Sequence, residues 1–300
     1  MKKLRGRTGL LLLMFTALTA VGQAQSPAVA DKQIEVLGQK IRYLEAGSGP
    51  TVILLHGLGV DSSAWAPTIP ALAQRFHVYV PDQIGFGKSD KPMINYRVAT
   101  LVDFLNEFCN KLSITKASLV GNSLGGWTAA AFTLAYPDKV DRLVLVDAAG
   151  YSPERIGAPK LSRELMLLLN PSTISEMKQT LSAVFYNKQL LTDDFVKQAF
   201  AGKLARGDGY TVNMFIESVL RNQDFIDGKA GAIKAPTLVV WGREDLLTPL
   251  AIGKAYAEDI RGSQLLVIDH CGHVPQFEAA PAFNQAVSRF LAGESAAVAK

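Results

Sequence analysis

Histidine and cysteine are scarce in these 300 residues, with four of the first and two of the second. Two thiols cannot build a disulfide scaffold, so a hydrophobic core must hold the fold. Cys109 falls in a helical stripe with Phe104, Leu105, Phe108 and Leu112, the setting of a buried free thiol. The four imidazoles, His56, His77, His270 and His273, leave little choice of general base. An excess of either charge is also missing. Of 31 basic and 27 acidic residues, four basic and no acidic ones lie in residues 1–24, which leaves the remainder balanced. Without a concentrated basic face there is no footprint for nucleic acid. No internal repeat at solenoid or propeller periods is present. The chain further lacks an apolar run of about 20 residues, the length that spans a bilayer comfortably. Its nearest approach, Gly9 to Val21, follows Lys2, Lys3, Arg5 and Arg7 and precedes the small residues Gly22 and Ala24. That is the layout of a secretory signal peptide over residues 1–24, predicting an exported (periplasmic or secreted) protein, or a membrane-anchored one if the leader is uncleaved. No stable membrane span is expected once the leader is removed.

What the chain does have is apolar material, 48% of its residues, enough for one full core plus an insertion. Short aliphatic runs alternate with helical patterns, the signature of a mostly parallel sheet with crossover helices. The runs are Gln33–Leu37, Ile41–Glu45, Thr51–Leu55, Val78–Val80, Ala117–Val120, Leu143–Val146, Thr237–Trp241 and Leu265–Ile268. The first two read as an antiparallel hairpin across Gly38. The later ones are continuously apolar, as strands covered on both faces are. Helices are predicted at Ala64–Arg75, Tyr96–Lys111, Leu124–Tyr136, Leu250–Asp259 and Pro281–Leu291. Residues 151–228 break the alternation: the pattern there is helical only. This divides the chain into a core of residues 33–150 and 229–292 and a helical lid inserted at 151–228. Most apolar lid residues, Leu161, Leu165 and Leu168 among them, serve to pack the lid, and a few would line a pocket for an apolar group.

Gly121-Asn122-Ser123-Leu124-Gly125 fits G-x-S-x-G directly after a strand run and directly before a helical one. A serine on so sharp a strand-to-helix turn leaves no room for side chains two residues away, hence Gly121 and Gly125. The strand Val52–Leu55 ends in His56-Gly57-Leu58-Gly59. Its loop amides, Leu58 chosen from residues 57–59, would join the Leu124 N–H in an oxyanion hole, with His56 and Gly57 holding the loop. Serine needs a base. His77 opens a strand run; His270 and His273 follow the last strand, and Gly272 gives His273 the sharper loop, with His270 the alternative. A carboxylate must then fix the imidazole. Asp245 ends the Val239–Trp241 strand and its loop, with Glu244 and Asp147 as alternatives. Ser123, Asp245, His273 is the chain order of one fold class.

Together His56-Gly57, the run Asp82 to Asp90, Gly121 to Gly126, Trp241 to Asp245 and Gly272-His273 resemble the α/β-hydrolase superfamily over residues 33–292. The resemblance implies an α/β-hydrolase fold: a mostly parallel eight-stranded sheet flanked by helices, with an inserted helical lid. It also implies catalytic Ser123, Asp245 and His273. Dehalogenases and epoxide hydrolases of this fold carry Asp at the nucleophile position, so Ser123 argues against both. The Asn122-Ser123 elbow and the stretch Pro171–Arg206 further resemble C–C hydrolases of aromatic ring-fission products. Those enzymes usually carry a lid arginine and an aromatic residue after the histidine, where this chain has Ala199 and Val274. The expectation is therefore a serine hydrolase of a small, partly apolar carboxylic ester acting through an acyl-enzyme. C–C hydrolysis is the first alternative, and a non-catalytic ligand-binding protein on the same fold the second. No cofactor or metal is expected. Gly85-Phe86-Gly87-Lys88-Ser89 is no P-loop, because Asp82 stands where glycine is required. Gly57-Leu58-Gly59 lacks the third dinucleotide-binding glycine, its position being Ser62. His270, Cys271 and His273 crowd one loop with no fourth ligand for zinc.

Overall fold

Eight strands form one sheet in a computed structural model that describes residues 27–296. The signal-peptide expectation for residues 1–24 lies outside the described residues. The strands are β1 (Ala30–Val36), β2 (Gln39–Ala46), β3 (Thr51–Leu55), β4 (His77–Pro81), β5 (Ala117–Asn122), β6 (Val140–Val146), β7 (Thr237–Gly242) and β8 (Gln264–Ile268). Their order is β1-β2-β4-β3-β5-β6-β7-β8. β2 runs antiparallel to both β1 and β4, and every other pairing is parallel. The β1–β2 hairpin turns on Leu37 and Gly38, both at positive φ (51° and 71°), as a two-residue turn matching strand twist requires.

Ten helices are present among the described residues: α1 (Ile69–Leu72), α2 (Val98–Lys111), α3 (Leu124–Ala135), α4 (Arg163–Leu167), α5 (Ile174–Val184), α6 (Asp193–Arg206), α7 (Gly209–Leu220), α8 (Leu250–Asp259), α9 (Pro275–Glu278) and α10 (Ala280–Leu291). None is long and apolar enough to cross a membrane. The predicted helix Ala64–Arg75 is broken. It becomes a 3₁₀ turn at Ser62–Trp65 and the single turn α1, because Pro67 and Pro70 remove N–H donors that a continuous helix would need.

Strand side chains alternate between two buried layers. Val52, Leu54, Val78, Val80, Val120, Val144, Leu238 and Val240 pack toward Phe283, Val287 and Phe290 of α10. Ile53, Leu55, Leu119, Leu143, Leu145, Val239 and Trp241 face α2, α3 and α8. Each fully buried aliphatic side chain stabilises the fold by about 1.5–3 kcal/mol. This double cover makes the sheet a rigid platform, and its carboxyl edge carries the loops discussed next. Between β6 and β7 every regular element is helical, α4 to α7 included. Helix α7 reaches into the core through Phe215, which stacks on Phe86 with centroids 5.8 Å apart. Cys109 and Cys271 are buried free thiols.

Candidate active site

β5 enters α3 through Ser123, whose φ of 57° and ψ of −119° lie outside the usual regions. Such a backbone costs of order 1–3 kcal/mol and persists only where its surroundings hold it. They do so by hydrogen bonds. The Ser123 N–H donates to the Val146 carbonyl at 3.0 Å, and its own carbonyl accepts from Trp127 and Ala149, both at 3.1 Å. The close approach is possible because of glycine. A Cβ on Gly121 would lie 2.2 Å from the Gly125 oxygen, and one on Gly125 would lie 2.2 Å from the Leu55 oxygen. Gly125 thus seats α3 on the end of β3 as well as clearing the elbow.

Asn122, a supporting residue in the sequence reading, has a specific task. Its side-chain amide donates to the Val146 carbonyl at 3.1 Å and to the His273 carbonyl at 3.0 Å. The elbow and the histidine loop, 151 residues apart in sequence, are therefore tied together. His273 is buried, and its Nδ1 lies 2.8 Å from Asp245 Oδ2. That contact assigns the ring proton to Nδ1 and leaves the Nε2 lone pair available. Neither His273 Nε2 nor the Ser123 hydroxyl has a hydrogen-bond partner among the described residues, and Ser123 is half-buried.

Asp245 accepts from the Leu247 and Thr248 N–H groups at 2.8 and 3.1 Å and from the Thr248 hydroxyl at 2.6 Å. Burial alone would raise its pKa. The His273 charge and hydrogen bond, with the Thr248 hydroxyl, outweigh that and hold the carboxyl below its ordinary range. Asp147 behaves oppositely: burial first, then the neighbouring Asp245 charge, push it well above the usual carboxylate range. Single ligand atoms of Asp147, Asp245 and His273 lie within 4.8 Å of one another. His273 and Asp245 already satisfy each other, so this grouping is an acid–base cluster in its chemistry and not an open metal shell.

The oxyanion candidates flank Ser123. Leu124 is the first residue of α3, where an N–H has no intrahelical acceptor. The Leu58 amide follows Gly57, on which a Cβ would meet the Ser123 Cβ at 3.2 Å. His56 holds this loop. It is fully buried, and burial lowers its pKa, so the ring is neutral. Its Nδ1–H donates to the Gly57 carbonyl at 2.8 Å while Nε2 accepts from the Gln83 N–H at 3.0 Å. The Asp82–Asp90 stretch is pinned in turn by Asp82, which accepts from the Ser62 and Lys88 N–H groups, both at 2.8 Å.

The alternatives lie elsewhere. His270 is exposed, its Nδ1 3.2 Å from the Tyr186 hydroxyl. Glu244 accepts from the Cys271 N–H at 3.0 Å, and His77 pairs with Glu45 at 2.9 Å at the opposite end of the sheet. Two participants escaped the sequence reading. Thr248 is one; three residues after Asp245, it closes a local turn on that carboxylate. Glu278 is the other. Its carboxylate accepts from Gly272 at 2.8 Å, Tyr186 at 3.1 Å and Asn187 at 2.8 Å. The His273 N–H also donates to the Val184 carbonyl at 2.8 Å. The histidine loop is thereby stitched to the helical insertion. From that insertion, Arg206 donates to the Gly59 carbonyl at 2.9 Å and pairs with Asp208 at 3.3 Å and Asp61 at 3.7 Å.

Comparison with known proteins bears on the fold and the family. A family model described as the alpha/beta hydrolase fold matches residues 50–280. A 2-hydroxy-6-oxononadienedioate/2-hydroxy-6-oxononatrienedioate hydrolase from Cupriavidus pinatubonensis is 33% identical over 288 residues, covering 92% of this chain and 97% of the relative. One of the same name from Pseudomonas putida is 34% identical over 294 residues, covering 91% and 99%. Among solved structures, a meta-cleavage product hydrolase from Pseudomonas fluorescens IP01 superposes with a TM-score of 0.79 at 32% identity, covering 87% of this chain and 97% of that one. A membrane phospholipase A superposes with a TM-score of 0.77 at 26% identity, covering 88% and 86%.

Proposed function

The chain belongs to the alpha/beta hydrolase family, and from that starting point we propose that it hydrolyses a carbon–carbon bond beside a ketone, in a substrate of the 2-hydroxy-6-oxo-dienoate class. Ser123 is the nucleophile, His273 the base and Asp245 the group that orients it. One observation carries the substrate class: similarity over 97% and 99% of the length of relatives that bear the name of this reaction. Their names favour this alternative over the ester expected from sequence.

The chemistry follows from the substrate's connectivity. The substrate must first ketonise: the proton of its 2-hydroxyl leaves oxygen and one is added at C5, so that the carbon beside the 6-ketone is saturated and its electron pair, once released, can spread into the new 2-keto group. His273 Nε2 takes the Ser123 proton as Oγ adds to the ketone carbon. The Leu58 and Leu124 amides receive the oxyanion, a contribution worth roughly 10²–10³ in turnover per donor. Collapse breaks the adjacent carbon–carbon bond, whose electron pair leaves as a conjugated enolate and is protonated at carbon by imidazolium. Water, deprotonated by His273, then releases the carboxylic acid from Ser123. Asp245 stabilises the imidazolium at each stage, and a triad left with no carboxylate behind its imidazole loses about 10⁴.

Ester hydrolysis is the second reading, favoured by two positions. Ala199 and Val274 stand where the C–C hydrolases usually carry arginine and an aromatic residue. Arg206, the insertion's cation at the Gly59 carbonyl, is neutralised by Asp208 and Asp61. The deciding experiment assays purified protein with a 2-hydroxy-6-oxo-dienoate, followed by loss of its colour, beside p-nitrophenyl acetate, butyrate and octanoate. The C–C reading expects kcat/KM for the dienoate to exceed every ester by at least about 10², or roughly 2.7 kcal/mol in the barrier. Esters turning over faster would reverse the ranking. Either activity surviving Ser123→Ala would sink the nucleophile assignment.

A further inference from the structure

We propose that Asp147 is a reserve acid of this site, a second carboxyl placed to take over the orientation of His273 when Asp245 cannot carry charge. The inference rests on the Ser123–His273–Asp245 reading above and extends it.

Asp147 sits one residue beyond β6, on the strand between the elbow strand β5 and the Asp245 strand β7. Its backbone is in the left-handed region, φ 42°, which a non-glycine residue adopts at a cost. The side chain is fully buried. Oδ1 accepts from the Gly242 N–H at 2.9 Å, whereas Oδ2 accepts from no N–H or O–H among the described residues, and a bond between the Asp147 and Asp245 carboxyls needs a proton on one of them. A buried carboxyl oxygen without a donor is costly unless it carries a proton or faces a charge that comes and goes. A carboxylate oxygen of Asp147 lies within 4.8 Å of ligand atoms of Asp245 and His273, which are as close to one another, so the carboxyl faces a charge that comes and goes.

Thr248 links the two acids. Its hydroxyl is 2.6 Å from Asp245 Oδ2, 2.9 Å from the Asp147 carbonyl oxygen and 3.2 Å from His273 Nδ1. Two carboxylates buried this close cannot both ionise beside one neutral imidazole. The pair therefore holds one proton and one negative charge. The charge sits on Asp245, which has four hydrogen bonds to favour it. The proton sits on Asp147, in agreement with the raised pKa of that carboxyl.

Removal of the Asp245 charge alters the balance. In Asp245→Asn the repulsion that kept Asp147 protonated is gone, and the imidazolium formed during attack has no other counter-charge in the cluster. Asp147 then releases its proton to bulk water and its carboxylate faces His273. In the wild type Asp147 is a positioning residue acting through Asp245 and His273, never on the substrate.

The test reads the nucleophile directly, so it does not depend on the natural substrate. The rate of Ser123 labelling by a fluorophosphonate and the turnover of p-nitrophenyl acetate are measured for wild type, Asp147→Asn, Asp245→Asn and the double variant. Asp147→Asn, close in shape to the protonated acid, should lose less than Asp245→Asn, which should itself lose no more than about 10². The double variant should lose about 10⁴, the cost of a triad without its acid. The two losses would then be far from additive, as coupled groups require. Asp147 is faced by His273, Cys271 and Glu278 as well as by residue 245, and the activity of Asp245→Asn should rise with pH more than that of the double variant, which keeps those groups and lacks only the Asp147 carboxyl. If the double variant does not fold by circular dichroism, Asp147→Ser in the Asp245→Asn background replaces it. Asp245→Asn as slow as the double variant overturns the reserve role alone. A wild type that fails to label overturns the nucleophile assignment itself.

Discussion

Replacing Asp147 with asparagine should stabilise the protein, and by more as pH rises. The folded-state pKa of Asp147 is raised above its ordinary 3.8 by burial and by the Asp245 charge. An acid with a raised folded pKa keeps a proton that the unfolded chain has released. Its contribution is fully favourable below the unfolded pKa and is lost as pH climbs toward the folded one. Within that window the native state binds one more proton than the unfolded state, so stability falls by about 1.4 kcal/mol per pH unit. Asparagine has no proton to lose, and its amide oxygen can still accept from Gly242 where Asp147 Oδ1 does at 2.9 Å. The stability difference between variant and wild type should therefore grow by about 1.4 kcal/mol for each unit above pH 4 until Asp147 ionises in the folded state. Asp245, held low, acts in the opposite sense: its stabilisation is present above its unfolded pKa and disappears as pH falls through the folded value. It is present in both proteins. Urea unfolding of each at pH 5, 6 and 7, followed by tryptophan fluorescence, yields the difference directly. A difference that stays constant with pH would show that Asp147 is ionised in the folded protein and refute the reasoning.

Three further outcomes are expected. Glu278→Ala strips the acceptor from the Gly272, Tyr186 and Asn187 N–H groups. It should cost about 1–3 kcal/mol and speed limited proteolysis near residues 184–187, with unchanged cleavage refuting the stitch. Gly125→Ala drives a Cβ to 2.2 Å from the Leu55 oxygen and 2.7 Å from the His56 oxygen, both rigid backbone. It should cost at least the ~1–3 kcal/mol of overpacking. Gly38→Ala, which meets nothing within 4 Å, should cost only about 1 kcal/mol for its positive φ, so equal losses in thermal melts would contradict the steric account. Burial pushes the Cys109 thiol up to about 12 and raises Cys271 further. Neither should react with a disulfide reagent at pH 8 in the folded protein, and both should react in guanidinium.

Much of the architecture can be read from the chain because its signals are local. Every predicted strand run matches an observed strand to within a few residues; the central runs are buried on both faces as their continuous apolar character requires, whereas the edge strands β1 and β8 are partly or largely exposed, β8 contrary to the cover expected from its sequence. The helix predicted over Ala64–Arg75 failed for a local reason too: its apolar spacing is helical, but Pro67 and Pro70 deny it the donors. Ser123 and its glycines were legible because a strained turn dictates which neighbours can exist. Asp245 and His273 could be picked out because each lies in the loop that follows the carboxyl end of a strand.

The sequence by itself determined the sheet and the elbow, because short-range backbone sterics and apolar runs fix both, and it put forward Ser123, Asp245 and His273 as a set. Only the tertiary structure decided which groups meet. It set Asn122 against the His273 carbonyl, turned His270 outward to Tyr186, drew Glu278 onto the insertion and placed Asp147 beside Asp245. Residues about 100 and 150 positions apart, as in the Asp147–Asp245 and Asn122–His273 pairs, leave no trace of their contact in local pattern. The parallel sheet joins them by stacking strands distant in the chain, and a buried carboxyl's proton is assigned only once its neighbour's charge is known.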